Sequence, residues 1–457
     1  MSLPTEGSER SSANYDIICV GFSIEGLALA VSLADRKTQH KILFIDRNAG
    51  FKAGLGFHNT EDHAGSLFLK DLITLQNPKS EFTFINYLHE SRLLIGFTNV
   101  SQMKPSRVLL ENYLRWAAKK IQALGWVSFQ SEAITVNPIR SNSTKSFDSW
   151  ELRVRDNSTG RIELLQTQKL MVTTRAPKSI SSIMQGASLR ENVLLMHQFE
   201  KSQKAIEQTQ RPLNIAVLGS SQQAVECFQE IVSGQGDNRA CMIFPGSALR
   251  VEDSTPFVQA LIDGDGLRNP YKKLPPEIRQ QMLATTVASV FPTVNLETLE
   301  SLYATLYLQH VRSNDASQHR FMLHPFSQII RASKTAQGVL LHSVDVRTGE
   351  AQTPLGPFDF LLTEVYRDAR QGPKILAPIR PLLEKQTLTV DSEYNVNFHR
   401  NTFSSGSGLW MLGSLASQNM RRDDLSILAA SAHRAVSSIT RKFEASDASE
   451  AETQSRL

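Results

Sequence analysis

Residues 15–47 constrain the fold more than any other stretch. An apolar run from Asp16 to Val20 meets Gly21, after which the pattern changes to helical spacing through Leu27, Leu29, Val31 and Leu33. A second apolar run, Ile42–Ile45, closes on Asp46, 20 residues after Gly26. Strand, glycine turn, helix and strand make a βαβ unit, with an acid where a dinucleotide fold holds a ribose hydroxyl. The turn itself reads Gly21-Phe22-Ser23-Ile24-Glu25-Gly26. The second glycine of a G-x-G-x-x-G turn is Ser23, which adds a side chain at the closest approach to a diphosphate. Glu25 adds a carboxylate in the first helical turn, favourable to the helix dipole but repulsive to a bound anion. The unit alone fits either a nucleotide site or a structural βαβ element.

The pattern recurs. Asn214–Glu226 is again a strand, a glycine turn at Gly219 and a helix, and Ala240–Phe244 supplies the next strand. Two such units, 198 residues apart, predict an α/β chain with two Rossmann-like nucleotide-binding domains, the arrangement that brings a flavin and a nicotinamide together. A length of 457 residues exceeds one core and accommodates two or three domains. Buried strands at Lys169–Thr173 and Gly408–Gly413, followed by a terminal helix over Asp424–Lys442, predict that the first domain is discontinuous. The expected layout is an unstructured 1–13, a first nucleotide-binding-type domain over 14–208, a second over 209–345 and a return segment of the first over 346–443. A helical lobe at about 270–315 belongs to the second domain, with Leu299, Leu302, Leu306 and Leu308 on its apolar face. A polar tail, 444–457, is expected to be disordered; it ends in Ser455-Arg456-Leu457, a variant of the peroxisomal S-K-L address, and predicts an import receptor as partner.

Other classes find little support. With 49 Lys plus Arg against 45 Asp plus Glu, the net charge of +4 is scattered and predicts neither nucleic acid nor a membrane surface as partner. Met1–Asn14 is polar, which predicts no secretory signal, and no apolar run reaches membrane-span length. Cys19, Cys227 and Cys241 lack metal-type spacing and read as buried thiols. His58 and His63 are loop histidines or acid/base groups on sequence grounds alone.

One stretch carries a resemblance: Phe68-Leu69-Lys70-Asp71-Leu72-Ile73-Thr74-Leu75-Gln76-Asn77-Pro78-Lys79-Ser80, then Phe82–Leu88 and Phe97-Thr98-Asn99. With Asn214–Ala224, Glu252-Asp253-Ser254, Pro256-Phe257-Val258 and Leu306-Tyr307-Leu308-Gln309, it is similar to the flavin-dependent N-hydroxylating monooxygenases, the L-ornithine N5- and L-lysine N6-monooxygenase group. The resemblance implies an FAD domain for the first, an inserted NADPH domain for the second and a substrate lobe, hydroxylating a primary amine of an amino-acid-like substrate in siderophore or secondary-metabolite biosynthesis, in a homo-oligomer. It implies that Lys70 takes the substrate carboxylate, with Thr286 at a second substrate position. Cofactor contacts are implied at Gly21, Ser23, Gly26, Asp46, Gly219, Ser221, Gln222, Tyr366 and Gly413.

The departures gather at the cofactors. Ser23 and Ser221 replace turn glycines. Ala53-Gly54 and Ala64-Gly65 replace large flavin-facing side chains, and Thr173-Thr174-Arg175-Ala176 replaces a small Ala-x-Gly-Gly sequence. Thr363-Glu364-Val365-Tyr366 stands for Ala-Thr-Gly-Tyr and Asn419-Met420-Arg421-Arg422-Asp423 for His-Gly-Leu-Ser-Asp. Three outcomes stay open: a monooxygenase with an altered substrate, a cofactor-depleted family member doing non-redox chemistry or serving as a partner subunit, and a flavin oxidase without an NADPH step.

Overall fold

The computed structural model describes residues 13–53, 68–100, 103, 105–141, 146–173, 181–184, 186–199, 206, 209, 211–234, 237–251, 293–364, 372–385, 387–413 and 425–455, the last eleven as backbone. The chain divides into two compact units, one from the two ends of the sequence and one from its middle, between about residues 178 and 366.

The first unit starts with β1 (Ala13–Val20), α1 (Ile24–Asp35) and β2 (Ile42–Ile45). Short helices α2 (Phe84–Glu90) and α3 (Leu94–Thr98) precede α4 (Arg107–Ala123). Strands β3 (Val127–Ser128), β4 (Ser131–Arg140), β5 (Phe147–Asp156) and β6 (Ile162–Val172) follow. The sheet order is β3-β2-β1-β6-β5-β4. β1 is parallel to β2 and β6, with Val20 opposite Ile45 and Val172.

Alternation explains the continuous apolar runs. Ile17 and Cys19 face a core shared with α1 and α4, whereas Ile18 and Val20 face a second core built on β4, β5 and Trp150. A strand buried on both faces has no polar face to show.

The second unit comprises β7 (Val193–Leu195), β8 (Asn214–Leu218), α5 (Gln222–Ser233), β9 (Arg239–Ile243), the short pair β10 (Arg250–Val251) and β11 (Thr293–Val294), and α6 (Leu296–Arg312). Then come β12 (Phe321–His324), β13 (Ser327–Thr335), β14 (Gly338–Asp345), β15 (Leu355–Phe358) and β16 (Phe360–Thr363). A parallel sheet in the order β12-β9-β8-β16-β7 lies between α5 and α6 on one face and the antiparallel β13-β14-β15 layer on the other. The chain then returns to the first unit with β17 (Gly408–Met411) and α7 (Leu425–Ser455). β17 runs parallel to the C-terminal part of β6, Gly408 opposite Lys169, beyond the part paired with β5. α7 packs on α1 and buries Ala432, Val436 and Ile439.

Three expectations are corrected. The inserted unit is wider than 209–345, because β7 and β16 both pair with its sheet, Val193 opposite Leu361 and Ile215 opposite Phe360. Leu308, expected on the apolar face of α6, is exposed, whereas Leu302 is buried with Leu299 and Leu306 beside it in the core that holds α5. The tail is helical to Ser455. Its Ala- and Glu-rich stretch lacks glycine and proline, so nothing interrupts helix propagation.

Asp359, beside β16, fixes the start of β8. Its carboxylate accepts from Arg211 at 2.5 and 3.2 Å and from the Asn214 amide at 2.8 Å. Burial would raise its pKa, but these donors outweigh it and hold the carboxyl below the ordinary value. A depressed pKa contributes stability present above about pH 4 and lost as pH falls through the lowered value. Asp359→Asn is expected to lower Tm by about 2–4 °C at neutral pH, since the partner arginine is solvated, with the gap closing in acid. Thermal melts across pH check this; a gap independent of pH contradicts it.

Candidate functional site

At the first turn, Gly21 takes φ +107°, and its carbonyl accepts the Thr173 hydroxyl at 2.9 Å. A β-carbon on Gly26 would stand 2.4 Å from that same oxygen, so only glycine lets α1 leave β1 this closely. Phe22 is buried among Phe44, Phe51 and Phe129. The Asp46 carboxylate accepts from the Phe22 amide at 2.8 Å and from both nitrogens of Asn48 at 2.8 Å, so it ties the turn to the end of β2.

Ser23 holds the N-cap position of α1 without capping it. Its hydroxyl instead donates to Glu25 Oε2 at 2.5 Å. Glu25 is 5% exposed, a carboxylate buried in the first turn of the helix. The chain has placed its own anion where a helix N-terminus would receive a phosphate.

The second turn repeats the arrangement by another route. Gly219 has φ +129°, and Ser221 caps α5, accepting from the Ala224 amide at 3.2 Å. The Ser221 hydroxyl also donates to Glu364, which follows β16, in a short hydrogen bond. The Glu364 carboxyl carbon lies 3.9 Å from where a β-carbon on Gly219 would stand. Parallel pairing brings them together, since Thr363 is opposite Leu218. Gln222 faces α6 instead: it donates to Glu226 at 2.7 Å and Thr298 at 3.3 Å and accepts from the Asn295 amide at 2.8 Å.

These residues test the two nucleotides. Gly21, Gly26, Asp46 and Gly219 supply the cradle. At an effective dielectric of about 20, two unit charges about 5 Å apart repel by roughly 3 kcal/mol, and a diphosphate brings two charges. A carboxylate at a turn therefore disfavours a diphosphate there to the extent that its charge is not offset by its own partners. Each turn thus sets a serine–glutamate hydrogen bond beside the position that a dinucleotide's diphosphate takes in such a fold.

The Lys70 segment is built differently. Asp71, 3% exposed, accepts from the Ile73 and Thr74 amides at 2.9 and 2.6 Å, the Thr74 hydroxyl at 2.6 Å and the Phe84 amide at 2.6 Å. Tyr113 donates to Phe82 O at 2.8 Å and accepts from the Leu72 amide at 3.2 Å. Burial raises the Asp71 pKa against these donors, and burial together with Asp71 raises that of Tyr113. Half-buried Lys70 is thus the residue before a fixed turn, a point charge suited to a carboxylate.

Thr286, Tyr366, His58, His63, Arg175 and residues 419–423 lie outside the described residues. Gly413, φ +123°, leaves β17. All three cysteines are buried free thiols; burial pushes Cys227 and Cys241 up to about 12, and Cys19 further, so they are poor nucleophiles. Among the described residues no His/Cys/Asp/Glu group has metal-site geometry, and no helix is long and apolar enough to cross a membrane. Sequence reasoning missed the role of Glu364. Its position one residue past an apolar strand that follows the second βαβ unit was the available signal.

Two α/β units, each containing a parallel strand that leads through a positive-φ glycine into a helix, define a two-domain scaffold of the dinucleotide-binding type. The L-lysine 6-monooxygenase/L-ornithine 5-monooxygenase family matches residues 13–355, and the chain belongs to that family. It is 27% identical over 443 residues to an L-ornithine N(5)-monooxygenase of Ajellomyces capsulatus, covering 94% of this chain and 92% of the relative. It is 26% identical over 408 residues to that of Pseudomonas aeruginosa, covering 86% and 88%. In fold it resembles the reduced ornithine hydroxylase of Pseudomonas aeruginosa, TM-score 0.78 at 23% identity over 94% of this chain and all of the other. It also resembles the Kutzneria ornithine N-hydroxylase solved with reduced FAD, NADP+ and L-ornithine, TM-score 0.77 at 22% identity over 94% and 99%.

Proposed function

We propose that this chain is a redox-silent member of the N-hydroxylating monooxygenase family: a protein that binds a small amino acid or related carboxylate through Lys70 and does non-redox work, as a binding protein or partner subunit, on the family scaffold. The observation that carries the reading is the repeated serine-to-glutamate hydrogen bond, Ser23 to Glu25 and Ser221 to Glu364. It arises in separate units from unrelated parts of the sequence. The Lys70 turn, in contrast, keeps a satisfied network around Asp71. A peroxisomal destination, read from Ser455-Arg456-Leu457, and a homo-oligomeric state belong to the same proposal.

A second reading is favoured by the cradle geometry at Gly21 and Gly26 and by the family relatives. On it the chain is an FAD- and NADPH-dependent hydroxylase of a primary amine, in siderophore or secondary-metabolite biosynthesis.

An absorption spectrum before and after incubation with excess FAD and desalting separates the two. We expect no flavin band in either sample, no NADPH consumption with L-ornithine, and a thermal shift with amino-acid ligands that Lys70→Ala abolishes. A retained flavin band with amine-stimulated NADPH oxidation overturns the redox-silent reading.

A further inference from the structure

We propose that Glu25 and Glu364 are the residues that decide nucleotide exclusion, each carboxylate serving as an internal substitute for a diphosphate. The inference rests on the redox-silent reading and adds that exclusion is local and reversible by substitution.

At the first turn the backbone is still shaped for a dinucleotide. Gly21 is at φ +107°, the parallel register of β1 with β2 is intact, and Gly26 permits the close strand-to-helix passage. At the helix end the change lies in two neighbouring side chains, Ser23 and Glu25, with Thr173, bonded to the Gly21 carbonyl, as a further departure beside them. A serine at an N-cap ordinarily accepts from the helix amides, whereas Ser23 donates its proton to Glu25. The pair thus sets a carboxyl group at the helix end with a hydrogen bond already made, in the place where a helix N-terminus favours a phosphate.

The second turn differs in one respect that sets the design of the test. Glu364 reaches Ser221 from the end of β16, so this pair also links a strand end to α5. Removing it opens the turn and loosens the unit together. The first turn is free of that complication, because Ser23 and Glu25 sit on one helix turn.

The experiment compares full-length wild type, Glu25→Gln and Ser23→Gly/Glu25→Ala for FAD retained after desalting and for flavin fluorescence on titration, with circular dichroism to establish folding. Glu25→Gln keeps shape while removing charge. We expect a colourless wild type, FAD affinity higher by on the order of 100-fold in the double variant, and an intermediate gain in Glu25→Gln. NADP+ binding should be unchanged by either, since Ser221 and Glu364 belong to the other unit. A wild type that retains FAD overturns the redox-silent reading and this inference with it. A colourless wild type with both variants folded and equally colourless overturns the inference alone.

Discussion

Gly26→Ala is expected to keep the first unit from reaching its native packing. The added carbon would stand 2.4 Å from the Gly21 carbonyl oxygen and 3.2 Å from its carbon, both backbone, and 3.5 Å from the Thr173 hydroxyl that is bonded to that oxygen. No side-chain rotation relieves the clash; α1 must move away from β1, and α1 is buried over almost its whole length beneath α4 and α7. Overpacking typically costs about 1–3 kcal/mol, and a clash with backbone on both contacts stands at or above the top of that range, a large share of a domain's stability. The measurable result is insoluble protein or a Tm lowered by roughly 10 °C. Gly50→Ala, at a glycine with open space around it, is the matched control and should stay near wild type. A Gly26→Ala protein melting with that control would show the turn is softer than its geometry.

Asp71→Ala carries the second-largest effect and ties stability to binding. Four donors lose their acceptor at once: the amides of Ile73, Thr74 and Phe84 and the Thr74 hydroxyl. Each buried donor left unpaired costs about 1–3 kcal/mol; partial relaxation brings the total to roughly 3–5 kcal/mol. Because Lys70 precedes Asp71, the same change frees the lysine from its turn. We therefore expect a Tm lower by about 6–12 °C and loss of the amino-acid thermal shift. Lys70→Ala should lose the shift while leaving Tm nearly unchanged, and if it destabilised as much as Asp71→Ala, Lys70 would be a packing residue rather than a ligand.

The parts of this molecule visible in its sequence are those fixed by short-range pattern. The apolar runs of β1, β2 and β8 and the glycines at 21 and 219 locate two βαβ units, and the placement of Glu25 in a helix's first turn follows from spacing alone. What escaped is what depends on distant pairing. Ser221 and Glu364 are 143 residues apart, and only the register of β16 on β8 joins them. The three-residue β7 is too short for periodicity to reveal, yet it moves a domain boundary. Asp46 could be read as an acid at a strand end, but its three local donors required coordinates.

The interrupted first unit also sets an order of events during synthesis. β6 lies in the middle of its sheet, but β17, its neighbour along Lys169–Val172, is made 239 residues later. At about 5–20 residues per second, roughly ten to fifty seconds pass before that strand emerges. Throughout that time the apolar edge of β6 faces solvent as an unpaired template. The central unit, by then fully extruded, folds first. The nascent first half therefore keeps that edge unpaired until Gly408–Met411 emerges.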